Sequence, residues 1–484
     1  MVTKGNSRNR CAGRLSVVAV AALLAMVGRE APSQAQPASG KIVDRRGRPV
    51  SGPLAAHVVT GVEKAMASSL AGDPPQDVVL TLDMGLQKVA YGAVSKHDAA
   101  AVAVVEVETG RILALVSTPA EDPIDRAVGR EYRPASTYKL VTAVAGLETG
   151  ALTPDQEVTC TGHRMVGTHD MLDMGVHGTL DFLEALQHSC NVYFWSVGER
   201  VGVARLAQVA RDFGFGAPTG LGIGGDMAGH VPDVADFRGH SENDLVRQLQ
   251  AVIGLADVRA TVLQVAMAYA ALANGGRLYQ PQIVWRLRGA DGRTAGEREP
   301  ILRRHVSVSP ATLDLIRRGL FRAVNRRGGT AFAAKKGVVK MVGKTGTAPL
   351  PTDPEESHAW FAGWAPADHP KIAIVVLVEN GGIGGAVAAP VARDIIDAYF
   401  IHAARAKATS RKKTAQAAKK TAKKSAAMKA EVKKAVAKAA AKKKAAAKKA
   451  TAKAAAKKAA AKEAAAKKKK ATTQARGKYF RRRR

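Results

Sequence analysis

Ala101-Val102-Ala103-Val104-Val105-Glu106-Val107 is followed by Glu108-Thr109-Gly110 and then by Arg111-Ile112-Leu113-Ala114-Leu115-Val116-Ser117. Two apolar, β-rich runs joined by a short polar link containing Gly predict a β-hairpin. Downstream, Arg133 to Gly150 carries Leu140, Val141, Val144 and Leu147 at helical spacing, with Gly150 as a stop. Residues 180–275 read as helical segments broken by Gly-rich turns. Arg259 to Asn274 is one of these helices, ended by Asn274-Gly275-Gly276. Val338 to Val342, His358 to Trp364 and Lys371 to Val378 predict three more strands, and Ala386 to Phe400 a last helix. The order is two strands, a long helical insert, three strands and a helix. It predicts an α+β fold: an antiparallel five-stranded sheet flanked by helices, with an all-helical subdomain from the middle of the chain.

The ends differ from this body. The 484 residues leave room for two to four domains, and 46% hydrophobic residues suffice for a sizeable core. The 74 Lys and Arg face 41 Asp and Glu, a formal charge of +33. Residues 401–484 hold 25 Lys and 7 Arg against 2 Glu, a net +30, so the rest of the chain carries only +3. A near-neutral body with a polycationic tail cannot be read as one nucleic-acid-binding domain from its charge. Three Cys exclude a multi-disulfide scaffold and a zinc site of four cysteines.

Residues 1–14 contain Lys4, Arg8, Arg10 and Arg14 and no acid. Leu15 to Val27 is apolar, and Ser33-Gln34-Ala35 offers a small-residue cleavage site. This predicts a secretory signal or an N-terminal membrane anchor over residues 1–35, although the run is shorter than the roughly 20 residues a span needs. The body is therefore expected in the periplasm or outside the cytoplasmic membrane, secreted or anchored. In residues 401–484, 32 Ala and 25 Lys favour helix, but Lys neighbours at i, i+4 repel and no apolar stripe is available for docking. A disordered or transiently helical tail is expected. Its expected ligands are anionic cell-envelope polymers or lipid headgroups, with a purely solubilising role as the alternative. An exported tail does not meet nucleic acid.

Three short motifs carry chemistry. Ser136-Thr137-Tyr138-Lys139 follows Arg133-Pro134-Ala135, and Pro starts helices. At i, i+3 on a helix, Ser136 and Lys139 share a face, and a desolvated lysine can take the proton that activates a serine. Ser189-Cys190-Asn191 can point two polar groups into one cleft from a turn. Lys344-Thr345-Gly346-Thr347 follows an apolar run, so it sits at a strand end. Gly346 there lets a substrate chain lie along the backbone, and a cation with two hydroxyls can hold a carboxylate. Gly343-Lys344-Thr345 resembles the end of a phosphate-binding loop, but that loop requires Gly at position 338, which is Val338.

The order S-x-x-K, S-x-N, K-T-G resembles that of serine β-lactamases and penicillin-binding proteins. The chain resembles the transpeptidase domain of the latter over about residues 77–402. Leu80-Thr81-Leu82-Asp83, Cys160-Thr161-Gly162, His177-Gly178, Ser189 to Phe194, Phe213 to Gly216, Leu263-Gln264 through Gly276, and Ala359 to Gly363 all match its usual wording. The 155 residues from Ser189 to Lys344 leave more room than a compact β-lactamase needs. Gly40 to Gly47 resembles the start of class B members, with Ser39 in place of the opening Arg. Residues 36–76 then read as a short linker or remnant, too short for a pedestal or glycosyltransferase domain, and 403–484 as the tail. Gly254-Leu255-Ala256 departs from the family's usual G-Q-G.

The resemblance implies a peptidoglycan D,D-transpeptidase. Ser136 would attack a D-Ala-D-Ala stem peptide, with Lys139 taking its proton. Ser189 would pass a proton to the departing D-Ala, tuned by Lys344. Asn191 would hold the substrate amide, Thr345 and Thr347 would bind the terminal carboxylate, and the substrate chain would lie against Gly346. Backbone N–H groups of Ser136 and Thr347 would form an oxyanion hole. β-Lactams would be inhibitors, and a separate glycan polymerase a partner. A β-lactamase, a D,D-carboxypeptidase and a non-catalytic β-lactam sensor or wall-binding protein remain as alternatives. No cofactor and no metal is expected: His163, His169 and His177, with Asp170 and Asp173, match no zinc spacing and read as a polar loop. Cys160 and Cys190 are either a pair in an oxidising compartment or free thiols.

Overall fold

The computed structural model describes residues 39–480, His240 excepted. The signal-peptide reading of residues 1–35 lies outside the described residues. The two opening runs form β1 (Ala100–Glu106) and β2 (Ile112–Thr118), paired antiparallel with Val102 opposite Val116. β3 (Val342–Pro349), β4 (Ser357–Ala365) and β5 (Ile372–Val378) complete the sheet. Its order is β3-β4-β5-β1-β2, antiparallel throughout, with β3 at an edge. The expected five-stranded α+β architecture is present.

Side chains alternate between the two faces, as a pleated strand requires. Ala101, Ala103 and Val105 join Ala373, Val375 and Leu377 in one core, while Val102, Val104, Ile374 and Val376 belong to the other. Both faces are covered, which is why these strands read as continuous apolar runs. Each fully buried Val, Ile or Leu contributes about 1.5–3 kcal/mol. On one face lie α1 (Met84–Val94) and, from the chain's end, the helix that starts at Ala388. The other face receives the insert between β2 and β3. There α2 (Lys139–Thr149), α3 (Phe182–His188), α4 (Asn191–Val201), α5 (Glu242–Val252), α6 (Val262–Ala273) and α7 (Pro310–Asn325) build the helical subdomain. α6 lies directly on β5 and β1. Its start is fixed by a capping box, Thr261 Oγ1 accepting from Gln264 N while Gln264 Oε1 accepts from Thr261 N.

Four expectations are corrected. The strand expected over Val338–Val342 begins only at Val342 and runs through Lys344–Thr347, so the K-T-G motif lies inside the edge strand. Val338 is 54% exposed and Lys340 is exposed, whereas Met341 and Val342 are buried, so only the last residue of the run enters the strand. Residues 36–76, expected as a linker, are packed from residue 39 onward. Ile42–Val43 pairs in parallel with Asp77–Leu80, and Val43, Val50, Val58 and Val62 are buried. The stretch expected as a polar loop contains a hairpin, His163–Val166 against His169–Leu172.

The last correction is the tail. The final helix, α8, runs without a break from Ala388 to Phe480, 93 residues, instead of ending near Phe400 in disorder. Ile395 and Ile396 are buried against the body, whereas the described tail side chains beyond His402 are exposed. The docked end supplies a formed nucleus, and each further Ala or Lys then adds a favourable step. Like-charge pairs oppose this by only a few tenths of a kcal/mol each.

Candidate active site

Ser136 sits in a 3-10 turn, Ala135–Tyr138, and Lys139 opens α2 directly behind it, so the two lie one turn apart. The turn is held from several sides. Ala135 adopts φ +47, an uncommon and costly conformation for an L-residue, and its N–H donates to Gly254 O at 2.9 Å. Tyr269 of α6 donates its hydroxyl to Thr137 O at 3.0 Å. A Cβ on Gly346 would meet Pro134 O at 3.1 Å and Thr137 Cγ2 at 3.3 Å. Gly346 therefore serves the close approach of the serine turn to β3.

The S-x-N motif is the junction of α3 and α4. Ser189 ends α3 at φ +60, Cys190 caps α4 through Sγ, and Asn191 is its first residue. Asp173 arrives from the neighbouring loop with its side chain fully buried. Its Oδ2 accepts from Asn191 N at 2.7 Å and Val192 N at 3.1 Å, a carboxylate at the positive end of a helix.

Both lysines converge on Ser189. Lys139 Nζ donates to Ser189 O at 2.5 Å, to Asn191 Oδ1 at 2.7 Å and to Ser189 Oγ at 3.2 Å. Lys344 Nζ donates to the same Ser189 Oγ at 2.6 Å. No hydrogen bond joins Lys139 to the Ser136 side chain among the described residues; its donors are taken by the S-x-N turn. Both lysines are fully buried. Burial pushes Lys139 down to about 8, against the pull of the Asp173 charge. Burial, then the charge of Lys139, holds Lys344 well below the ordinary lysine range. Two desolvated ammonium groups on one hydroxyl repel, so the site favours a state with a neutral, proton-accepting lysine.

Above this floor lies a cleft of about 470 Å³ lined by Ser136, Ser189, Asn191, Thr345, Gly346 and Thr347. The eight residues singled out in the sequence thus meet: six on the cleft wall, and Lys139 and Lys344 beneath it. Thr345 Oγ1 shares a 2.8 Å hydrogen bond with Thr330 Oγ1, and Thr347 Oγ1 accepts from Gly384 N at 3.4 Å. Leu172 and Met174, about 70% exposed, and Ile383 give the cleft an apolar lip. Leu255 of the departing Gly254-Leu255-Ala256 segment faces the cleft, and Ala256 adopts φ +48.

Sequence reasoning missed Asp173 as the cap of α4, Thr330 as the partner of Thr345, and Tyr269 as the support of the serine turn. None lies at helical or strand spacing from the residue it serves. The expected histidine cluster also rearranges. His163 pairs with Asp170 on the surface, whereas His177 joins Cys160, Asp173 and Cys190, whose donor atoms all lie within 4.8 Å. Both cysteines are free thiols and buried. Each contacts Asp173 Oδ2, Cys190 at 3.2 Å and Cys160 at 3.4 Å. Two thiols, an imidazole and a carboxylate are donor types that zinc takes, and among the described residues these four could hold such an ion.

A reachable serine above two desolvated lysines, at the edge of an antiparallel sheet, defines a protein built for covalent acyl transfer. Residues 100–397 match the penicillin binding protein transpeptidase domain, and the chain belongs to that family. The peptidoglycan D,D-transpeptidase PbpA of Mycobacterium tuberculosis is 33% identical over 345 residues, 62% of this chain and 66% of PbpA, just under two thirds of that relative's length. The D,D-transpeptidase domain of a peptidoglycan glycosyltransferase from Eggerthella lenta superposes with TM-score 0.68 at 26% identity, covering 75% of this chain and 97% of that one. The penicillin G acyl-enzyme complex of penicillin-binding protein A from M. tuberculosis gives 0.66 at 26%, covering 75% and 100%.

Proposed function

We propose that this chain is a peptidoglycan D,D-transpeptidase, a serine-type acyltransferase whose working unit spans residues 77–402. The observation that carries this reading is the meeting of Lys139, Lys344, Ser189 and Asn191 beneath the cleft that Ser136 lines. Ser136 attacks the carbonyl of the penultimate D-Ala, forming an ester and expelling the terminal D-Ala. Neutral Lys139 takes the serine proton. Ser189, held between the lysines, delivers a proton to the departing amine. Asn191 orients the substrate amide, and Thr345 and Thr347 hold its terminal carboxylate. Backbone N–H groups of Ser136 and Thr347 stabilise the oxyanion, at about 3 kcal/mol per donor. An amine on a neighbouring stem peptide then accepts the acyl group, completing the cross-link.

β-Lactams acylate the same serine, and a separate glycan polymerase supplies the strands. The work takes place outside the cytoplasmic membrane. No helix among the described residues is long and apolar enough to cross a membrane. The tail engages anionic envelope polymers or lipid headgroups by charge. The test is Ser136→Ala in the full chain: labelling by fluorescent penicillin disappears while thermal unfolding is unchanged. Labelling that persists would remove Ser136 as nucleophile.

A further inference from the structure

Beside the cleft, and sharing Pro349 with it, lies a second cavity of about 180 Å³ whose lining includes Glu131, Arg133, Arg259, Leu350 and His358. Two guanidinium groups converge here. Arg133 Nε donates to Ala256 O at 3.0 Å, and Arg259 Nη1 donates to the same oxygen at 2.5 Å, so the two nitrogens are at most about 5.5 Å apart. Among the described residues neither arginine forms an ion pair. Asp257, the acid next in sequence to their shared acceptor, is held by Arg247 at 2.5 Å. Glu131 on the cavity wall accepts from Gly229 N at 2.7 Å. With Asp257 paired to Arg247 and off the cavity wall, Glu131 is the one carboxylate lining it beside the two arginines, and the lining keeps an excess positive charge. Burial first and then the Arg259 charge push the Arg133 guanidinium below its ordinary range, against the opposing pull of Asp257. Among the described residues Arg133 donates only through Nε, to Ala256 O, and Arg259 only through Nη1, to Ala256 O and Val258 O. Most of their N–H groups are left for an incoming acceptor.

The position of the cavity says which acceptor. β3 runs from Lys344 to Pro349, and a peptide pairing antiparallel to it ends with its carboxyl terminus at Lys344–Thr345. Its upstream residues then pass Thr347 and reach Pro349, about 7 Å further along. We infer that Arg133 and Arg259 form a subsite for a free carboxylate carried by the donor peptide one or two residues upstream of the reacting carbonyl. This rests on the D,D-transpeptidase reading and adds a substrate preference to it. Arg matches carboxylates as a planar fork, so an amide in place of the carboxylate loses both charge and geometry.

The test uses the full chain and two synthetic donors ending in D-Ala-D-Ala, one with a free upstream carboxylate and one with that group amidated. Release of D-Ala is followed with a common acceptor amine. The free-carboxylate donor is expected to show at least tenfold higher kcat/KM, mainly through KM. Arg133→Gln and Arg259→Gln bring that ratio towards one, and Arg259→Lys restores part of it. Thermal unfolding of each variant monitors the clamp on Ala256. Equal kcat/KM for both donors in the unaltered chain, or an unchanged ratio in the Gln variants, overturns the subsite. A repeat with the acceptor amine varied, with and without a carboxylate, locates the preference: discrimination that follows the acceptor's carboxylate overturns its assignment to the donor. A penicillin adduct on Ser136 without discrimination leaves the transpeptidase reading standing; no adduct and no D-Ala release bring down both.

Discussion

Lys139 is where sequence, burial and chemistry meet most closely. Its place three residues after Ser136 was legible from the motif, but its partners were not, because Ser189 and Asn191 lie 50 and 52 residues away. Its depressed pKa makes a signed prediction. Proton abstraction requires the neutral amine. Below about pH 8 the amine is mostly protonated, so the second-order rate of penicillin acylation falls about tenfold per pH unit as pH drops, and it levels off above about 9. A stopped-flow pH profile with a fluorescent penicillin reads this limb directly. A rate independent of pH between 6 and 9 would remove Lys139 as the base. Lys139→Ala lowers the same rate by roughly 10²–10⁴-fold. Leu255 and Ala256 show the converse case. Their departure from the usual family residues was visible in the sequence, yet only the structure puts Leu255 in the cleft and two arginines on the Ala256 carbonyl.

The elements that carry these residues were legible where hydrophobic period and stops agree. β1, β2, β4 and β5 fall within one or two residues of the apolar runs, and α2 ends at Gly150 as expected. β3 was misplaced because its residues, Val-Gly-Lys-Thr-Gly-Thr-Ala-Pro, carry the site's polar groups and two glycines and so do not read as an apolar run. Gly343 and Gly346 belong to it because Phe361 and the serine turn press against the backbone. Junctions between elements were not legible, and two predictions belong to them. Gly254 has φ +76, and a Cβ there would lie 2.4 Å from Ala135 O and 2.6 Å from Tyr138 Cβ. Gly254→Ala therefore lowers stability by 1–3 kcal/mol or more and displaces the serine turn. It should appear as a drop in Tm together with slower acylation, and acylation at the unaltered rate would contradict the account. Asp173→Ala strips the α4 N-terminus of its acceptor and costs about 1–3 kcal/mol, leaving the Asn191 and Val192 N–H groups unpaired. Chemical denaturation measures this loss, and a change below about 0.5 kcal/mol would show that Asp173 does not hold the S-x-N turn.

At the scale of the molecule, a near-neutral folded body carries a cationic helix about 140 Å long. The charge asymmetry was plain in the composition. The unbroken helix was missed because docking of Ala388–Ile396, which nucleates it, is a tertiary event. Four successive lysines, Lys467 to Lys470, step round the helix at 100° each, so the charge faces every direction. Removal of residues 403–484 should leave penicillin acylation within about twofold, because no cleft residue lies there. It should abolish retention on anionic vesicles or wall polymer at 50 mM salt, and the full chain should itself elute as salt rises. Retention of the truncated chain would assign envelope binding to the body. Whether Ser136 is the nucleophile is read from the intact mass of the full chain after exposure to penicillin, followed over hours. One stable adduct is expected, mapped to Ser136 by peptide analysis. No adduct, or one lost within seconds as in a β-lactamase, would contradict it.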